Sequence, residues 1–267
     1  MSIPSIEEFW SLPINSELCD FYKSMICSLK VSDETKKKLS VPLLMQASPG
    51  YVNNPGKGVF FVGQETCGWG GNAETVGDTY ESFLRDSNRE YRMMEAQSDF
   101  IVDRYGRSGH KKSPVWTAFR EVVHVKTDAD AAYRPFLWSN VMACDYEGHT
   151  FRYYMSCEEE NEFIEFSKRK FLGELSILKP KVCLLFTGPN YDYILERYFD
   201  LPKNWEKNDI RSLKECSNPH EPLLIYVKMF EWKECLFIRT YHPKSLRMQR
   251  KWKIVDIIAE TVDNLLK

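Results

Sequence analysis

The chain has 267 residues, of which 43% are hydrophobic and 14% aromatic, so it carries enough apolar side chains for a sizeable core. This composition excludes a disordered or fibrous protein. The formal net charge of -2 excludes a protein that grips nucleic acid with its whole surface, but not one with a local basic patch. No apolar run reaches membrane-spanning length, and the first residues lack the features of a signal peptide. We therefore expect a cytoplasmic protein with no membrane partner.

The eight cysteines are scattered along the sequence, and none forms a Cys-x-x-Cys pair. Several lie inside apolar runs, which is typical of buried, reduced thiols in intracellular proteins. The grouped cysteines that hold an iron–sulfur cluster are missing from the sequence. We therefore expect reduced thiols rather than a disulfide framework or a cysteine-held metal cluster.

The first 57 residues are predicted to form an N-terminal helical extension. Ser5-x-x-Glu8 has the pattern of a capping box, and apolar residues then recur mostly at helical spacing to about residue 39, with a break near Pro13. A turn-rich loop leads from there into the first strand. That strand is a short, continuous apolar run, typical of a strand buried on both faces of a parallel sheet.

Strands and helices alternate over the rest of the chain. Strands are predicted at residues 59–62, 136–142, 182–187 and 235–239. Helices are predicted at 80–105, 115–125, 158–178, 191–199 and 248–266, with a hairpin of 210–214 and 223–230. This alternation predicts an α/β fold, a three-layer α/β/α arrangement around a central four-stranded parallel sheet. Since no linker or repeat is visible, residues 1–267 are interpreted as one domain with a helical insert at 72–113.

Three polar residues lie at strand ends or within strands, where a core favours apolar side chains: Glu65, Asn140 and His242. Taken singly, each has a structural explanation as a helix cap or turn residue, a bulge, or a hydrogen-bonded core histidine. Ligands of open α/β sheets, however, bind at the carboxyl ends of the strands. The order of the three residues around the predicted sheet therefore indicates one shared crevice.

Four motifs, in this order, resemble the uracil-DNA glycosylase superfamily. They are Gly63-Gln64-Glu65 after the first strand, Leu137-Trp138-Ser139-Asn140 in the second, Leu184-Leu185-Phe186-Thr187-Gly188 in the third, and His242-Pro243-Lys244-Ser245-Leu246 after the fourth. The resemblance runs from residue 59 to the C-terminus and leaves the extension and the insert unmatched. It implies an enzyme without a cofactor that binds DNA and hydrolyses the N-glycosidic bond of a flipped-out uracil or related base.

The resemblance also implies roles for single residues. Glu65 and His242 are the expected catalytic residues, since a carboxylate orients water and offsets a cationic sugar, and a donor stabilises the leaving base. Asn140 is expected to read the Watson–Crick edge of a pyrimidine, and Leu246 takes the place of an apolar wedge that enters the minor groove. The expected sets are Gly63, Gln64, Cys67 and Asn140 for substrate binding, and Lys244, Ser245, Leu246 and Arg247 for DNA binding.

The motifs depart from the family pattern at several positions. Glu65 replaces the usual aspartate and is one methylene longer. Thr66-Cys67-Gly68-Trp69 follows where the family has a proline and then an aromatic residue or glycine. The identity of the residue that excludes thymine therefore stays open between Cys67 and Trp69. In the last motif, Lys244 separates Pro243 from Ser245.

A basic segment near the C-terminus is independent of the resemblance. Residues 239–253 contain six basic side chains and no acidic one. A patch that contacts phosphates and a solvated helix start both fit this composition. The six are Arg239, Lys244, Arg247, Arg250, Lys251 and Lys253, and Lys111 and Lys112 are candidates to extend the patch.

Two alternative functions stay open. The first is a nucleic-acid-binding protein that has lost catalysis, which fits the altered residues after Glu65 and the acidic net charge. The second is a hydrolase of a small nucleoside-like substrate, over which the 72–113 insert closes as a lid. Salt-sensitive binding to oligonucleotides would separate the two DNA-binding functions from the small-substrate hydrolase.

Overall fold

The computed structural model describes residues 5–54, 58–66, 77–101, 113–124, 136–202, 205 and 226–267, and the structural statements below concern these residues. Several residues singled out by the sequence lie outside these ranges. They are Cys67, Trp69, Lys111 and Lys112, together with the predicted strand at 210–214.

A five-stranded, mostly parallel sheet forms the centre of the molecule, with strand order β2-β1-β3-β5-β4. Strand β1 pairs in parallel with β2 and with β3, and β3 pairs in parallel with β5, whereas β4 runs antiparallel to β5 at one edge. The strands are β1 Val59–Gly63, β2 Phe136–Asn140, β3 Val182–Leu185, β4 Val227–Trp232 and β5 Cys235–Thr240.

The expectation of a four-stranded, all-parallel sheet is wrong in one respect. The four predicted parallel strands are present, but β4 adds an antiparallel fifth. Only Lys233 and Glu234 separate β4 from β5, and both have positive φ, of 46° and 65°. A two-residue connection can join only antiparallel strands, and positive φ at both positions gives the twist that suits such a hairpin. The predicted strand at 223–230 therefore pairs, through its described part, with β5.

Local sequence signals mark the starts of three of the helices described here. Ser5 and Ser156 cap α1 and α8 through their side chains, and Pro13 occupies the first turn of α2. The helices are α1 Ile6–Trp10, α2 Pro13–Met25, α3 Asp33–Lys38, α4 Pro49–Asn53, α5 Tyr80–Arg85, α6 Arg89–Asp99, α7 Pro114–Val122, α8 Cys157–Leu178, α9 Asp192–Phe199, α10 Pro243–Met248 and α11 Lys253–Leu265.

The last predicted helix, at 248–266, is divided differently from the expectation. Helix α10 ends at Met248, and Arg250 adopts the left-handed conformation with φ 59°. The N–H of Lys251 then donates to the carbonyl of Leu246 at 2.8 Å, which closes the end of α10 in the manner of a Schellman motif. The final helix therefore starts at Lys253, and α10 carries the His-Pro-Lys-Ser-Leu motif.

The side chains of each strand alternate between two hydrophobic clusters, one on each face of the sheet. Phe60 and Val62 of β1 belong to a cluster that includes residues of α2, α8 and α9. Val59 and Phe61 belong to a second cluster, which includes residues of α7, α10 and α11. Successive strand residues point to opposite faces of the sheet, and each face packs against its own set of helices. Helices therefore cover both faces.

The outer edge of β2 is contacted by a side chain from α6. Gln97 Nε2 donates to the carbonyl of Trp138 at 3.3 Å, and Gln97 Oε1 accepts from the N–H of Gln46 at 3.1 Å. Gln97 is fully buried. It therefore ties the edge strand to the segment that follows the N-terminal helices.

Two further features bear on the expectations from composition. Of the helices described, none is both long and apolar enough to cross a bilayer. The described cysteines are free thiols, buried at Cys19, Cys144, Cys183 and Cys235 and exposed at Cys27 and Cys157.

Candidate active site

Contacts between neighbouring strands join the carboxyl ends of the four parallel strands into one surface. Gly63, the last residue of β1, pairs in register with Asn140, the last of β2. Gln64 Nε2 donates to the carbonyl of Thr187 at 2.7 Å, just after β3. The N–H of Gly188 donates to the carbonyl of Thr240 at 2.9 Å, at the end of β5. The structure therefore brings the segments that carry Glu65, Asn140 and His242 to the same edge of the sheet.

Asn140 lies at this edge with only 4% of its surface exposed. A Cβ atom at Gly63 would overlap its Oδ1 atom, so the position of the amide depends on the absence of a side chain there. Within the described part of the chain, the Asn140 side chain has no hydrogen-bond partner. A nearly buried amide that offers one donor group and one acceptor is suited to bind the edge of a planar heterocycle.

Glu65 follows β1 and is held by groups from two other segments. Tyr191 Oη donates to Glu65 Oε1 at 2.6 Å, and the Thr150 hydroxyl and the N–H of Phe151 also stabilise the carboxylate. Burial nevertheless dominates and raises the pKa of Glu65 to about 7, with a smaller upward contribution from the charge of Asp145. Glu65 can therefore exchange a proton near neutral pH, which suits a general base or acid.

Asp145 fixes the loop that carries Glu65. Its side chain, 1% exposed, accepts from Thr66 Oγ1 at 2.5 Å and from the N–H of Gly148 at 2.7 Å. Ser40 Oγ lies 2.8 Å from Thr66 Oγ1 and accepts from the N–H of Asp145 at 3.0 Å. The residue that follows Glu65 is thus anchored to the N-terminal segment and to the loop after β2.

His242 caps the N-terminus of α10 with its own ring. Nδ1 accepts from the N–H of Lys244 at 3.3 Å, so the proton of the neutral imidazole resides on Nε2. Burial lowers the pKa of His242, and the positive charge of Lys244 lowers it further. At neutral pH the ring is therefore uncharged and offers its Nε2–H as a donor.

A buried ion pair supports the strand that ends in Asn140. Lys170 Nζ lies 2.7 Å from Glu174 Oε1 and donates to Ser139 Oγ at 2.9 Å, and Ser139 Oγ donates to Glu174 Oε2 at 2.9 Å. Tyr22 Oη of α2 donates to Glu174 Oε1 at 2.7 Å. All four side chains are almost fully buried. Together they connect α2, α8 and the end of β2.

The expected DNA-binding residues of the last motif lie in different environments. Leu246 is fully buried in the cluster that contains α7 and α11, because it shares the inner face of α10 with Pro243. In this position it cannot serve as the expected minor-groove wedge. The exposed apolar side chain of the segment is Met248, at 76%. Lys244 and Arg247 are exposed and Ser245 is half-buried.

Arg239 does not belong to the surface of the predicted basic patch. This side chain is 1% exposed, and its Nη2 lies 2.7 Å from Asp192 Oδ2, which also accepts from Lys228 Nζ at 2.7 Å. A guanidinium buried against a carboxylate is not available to phosphates, so the expectation for Arg239 is wrong. Arg250 and Lys253 are exposed, which leaves the surface part of the patch between Lys244 and Lys253.

Three residues that surround Glu65 were not predicted from the sequence: Tyr191, Thr150 and Asp145. Tyr191 follows β3 in a short 3₁₀ turn, and Thr150 and Asp145 lie in the segment after β2. An aspartate directly after the apolar run 141–144 was the one available signal, since a core disfavours an isolated carboxylate. Cys67, one of the four expected substrate-binding residues, lies outside the described residues.

Comparison with protein-family models found no family that matches the chain, and comparison with curated proteins found no match.

Proposed function

We propose that the protein is a base-excision glycosylase of the uracil-DNA glycosylase type, which hydrolyses the N-glycosidic bond of a flipped-out uracil or related base. The observation that carries this proposal is the linkage of four parallel strand ends. It brings to one edge of the sheet a carboxylate, a neutral histidine and an amide that has no hydrogen-bond partner among the described residues. The fold supports it as well, since four parallel strands with helices on both faces agree with the architecture that the resemblance implies.

Each of the three groups has a role in this reaction. The Asn140 amide binds the Watson–Crick edge of the base, for which its lack of a partner among the described residues leaves it available. Ionised Glu65 orients the water that attacks the sugar carbon and offsets the positive charge that develops there. Neutral His242 donates its Nε2–H to the base oxygen, on which negative charge accumulates as the bond breaks.

The contact with DNA is assigned to exposed residues of α10 and the turn that follows. Met248 carries the apolar side chain that enters the base stack, in place of the buried Leu246. Lys244, Arg247 and Arg250 are exposed around it and contact phosphates. We thus assign DNA binding to a smaller basic surface than the sequence predicts.

A hydrolase of a free nucleoside is the second candidate, and one observation favours it. Leu246 and Arg239, two groups expected to contact DNA, are both buried. A small substrate requires neither a wedge nor a long phosphate-contacting surface. The three groups at the sheet edge would act on its glycosidic bond in the same way.

The experiment is incubation with uracil-containing single-stranded and double-stranded oligonucleotides, followed by alkaline cleavage at abasic sites, with deoxyuridine as a parallel substrate. Glu65→Gln and His242→Ala are expected to lower excision by about 100-fold each. Glu17→Gln, which changes an exposed carboxylate on α2, is the matched control and should retain full activity.

Three results would separate the functions. Oligonucleotide cleavage that is lost in both variants would establish a glycosylase. Release of uracil from deoxyuridine alone would establish the nucleoside hydrolase. Salt-sensitive binding without either reaction would contradict both and favour a binding protein.

A further inference from the structure

Tyr191 is placed beside Glu65 by the end of β3. Gly188, with φ 68°, turns the chain after β3, and its N–H donates to the carbonyl of Thr240 on the neighbouring strand. Tyr191 follows in the short 3₁₀ turn and is 9% exposed. The turn after β3 therefore places Tyr191 so that its hydroxyl donates to Glu65 Oε1 at 2.6 Å.

The length of the glutamate side chain permits this contact. An aspartate at position 65 would draw the carboxylate back by about one carbon–carbon bond, roughly 1.5 Å. At that separation Tyr191 Oη could no longer hydrogen-bond to the carboxylate, since such bonds need about 2.5–3.0 Å between oxygens. The glutamate at position 65, in place of the aspartate usual in the similar family, is therefore what allows the hydrogen bond from Tyr191.

The remaining charged and titratable groups around Glu65 act in known directions. Asp145, from the loop after β2, disfavours the ionised carboxylate, and the hydroxyls of Tyr191 and Thr150 favour it. Tyr193, on α9, has its pKa raised by burial, with a smaller contribution from Glu65. Its ring lies 5.0 Å from the Arg152 guanidinium. Tyr193 therefore belongs to the surroundings of the site but makes no hydrogen bond to Glu65.

We propose that Tyr191 is the positioning residue of Glu65: its hydroxyl fixes the carboxylate in one orientation and stabilises the ionised form that activates water. The role of water activation rests on the function proposed above, whereas the coupling of the two side chains does not. Glu65 stays the catalytic residue, and Tyr191 acts only through it.

The test compares Tyr191→Phe with Tyr193→Phe. The second variant also removes a tyrosine hydroxyl, but one that makes no hydrogen bond to Glu65. The first readout is a carbon-13 NMR titration of the Glu65 carboxyl, assigned with Glu65→Gln, and it needs no activity. The wild-type midpoint is expected at about 7. Tyr191→Phe should raise it by about one pH unit, because a donor to the charged form is lost, and Tyr193→Phe should leave it in place.

The second readout is the pH dependence of uracil excision. Tyr191→Phe should lower kcat about tenfold at pH 7, move the acidic limb of the profile upward with the carboxyl titration, and leave KM within about twofold. Glu65→Asp should resemble Tyr191→Phe, since it breaks the same contact. The double variant should be no worse than Glu65→Asp alone.

The two proposals fail in different ways. An unchanged Glu65 titration in Tyr191→Phe, or a fully active Glu65→Asp with an unaltered pH profile, would overturn the role of Tyr191. If the wild-type protein excises no base but Tyr191→Phe still raises the midpoint of the Glu65 titration, the proposed function is wrong. The control of Glu65 by Tyr191 is then still supported.

Discussion

Gly63 and Asn140 face each other at the ends of adjoining parallel strands, and the Oδ1 atom of Asn140 occupies the space that any side chain at Gly63 would need. The glycine is thus required by its neighbour rather than by its own backbone conformation. The first motif and the strand that bears the asparagine are coupled at this point.

Gly63→Ala should displace the Asn140 amide. If the protein excises uracil as proposed, this change should lower kcat/KM by about 10- to 100-fold, because small misplacements of a binding group are costly. Steric strain should also destabilise the protein by about 1–3 kcal/mol, measurable by urea unfolding. In the Asn140→Ala background the same change should have little further effect on activity. Full additivity of the two losses would show that Gly63 acts independently of Asn140.

Glu65 should make stability depend on pH. Its pKa of about 7 in the folded protein lies above the ordinary carboxyl value of 4.5, so the unfolded chain loses the proton first as pH rises. Stability should therefore fall between these two pH values, and the ionised group should cost about 3 kcal/mol above pH 7. Relative to wild type, Glu65→Gln should gain stability over this range in urea unfolding, and Glu17→Gln should not. A Glu65→Gln curve parallel to wild type would contradict the raised pKa.

Substitution of Leu246 should lower stability, whereas substitution of Met248 should weaken the proposed binding to DNA. Leu246→Ala leaves a cavity under α10 and should destabilise the protein by about 2–5 kcal/mol. Met248→Ala alters an exposed side chain and should change stability by less than about 0.5 kcal/mol. If Met248 enters the base stack, its loss should weaken binding to a uracil-containing duplex by about tenfold. Unaltered duplex binding by a folded Met248→Ala would remove this residue from the proposed interface.

Removing only one member of the buried Lys170–Glu174 ion pair should lower the stability of the protein. Lys170→Met leaves the Glu174 carboxylate buried without its cation and should destabilise the protein by about 3–5 kcal/mol. Changing both, as Lys170→Met with Glu174→Leu, should recover a large part of that loss. Chemical unfolding of the three variants measures this, and additive losses in the double variant would be the contrary result.

The sequence predicted the parallel strands well because each is a continuous apolar run between recognisable helices. It assigned β4 to a different hairpin, since the Lys233–Glu234 turn lacks the glycine or asparagine that usually marks positive φ. The burial of Leu246 was also missed. His242 as cap and Pro243 in the first turn place Leu246 on the inner face of α10, and this start signal was legible in the sequence.

The candidate site was predictable only where a strand end carries its own polar residue. Glu65, Asn140 and His242 each follow or end an apolar run, so sheet topology alone brings their segments together. Tyr191 could not be found in this way, because its contact with Glu65 spans 126 residues and leaves no local pattern. The effect of Asp145 on Glu65 likewise depends on how the loop after β2 folds back.

The hydrogen bond from Gln97 to the carbonyl of Trp138 has a consequence for association between molecules. An edge strand with free carbonyls and amides is a template on which another chain can add as a further strand. On β2, the Gln97 amide already takes one of these acceptors, and it is itself held by the Gln46 backbone. An incoming strand would have to displace a buried side chain to continue the ladder. Gln97 therefore hinders the addition of another strand along the outer side of β2, and so protects the sheet against growth into an aggregate.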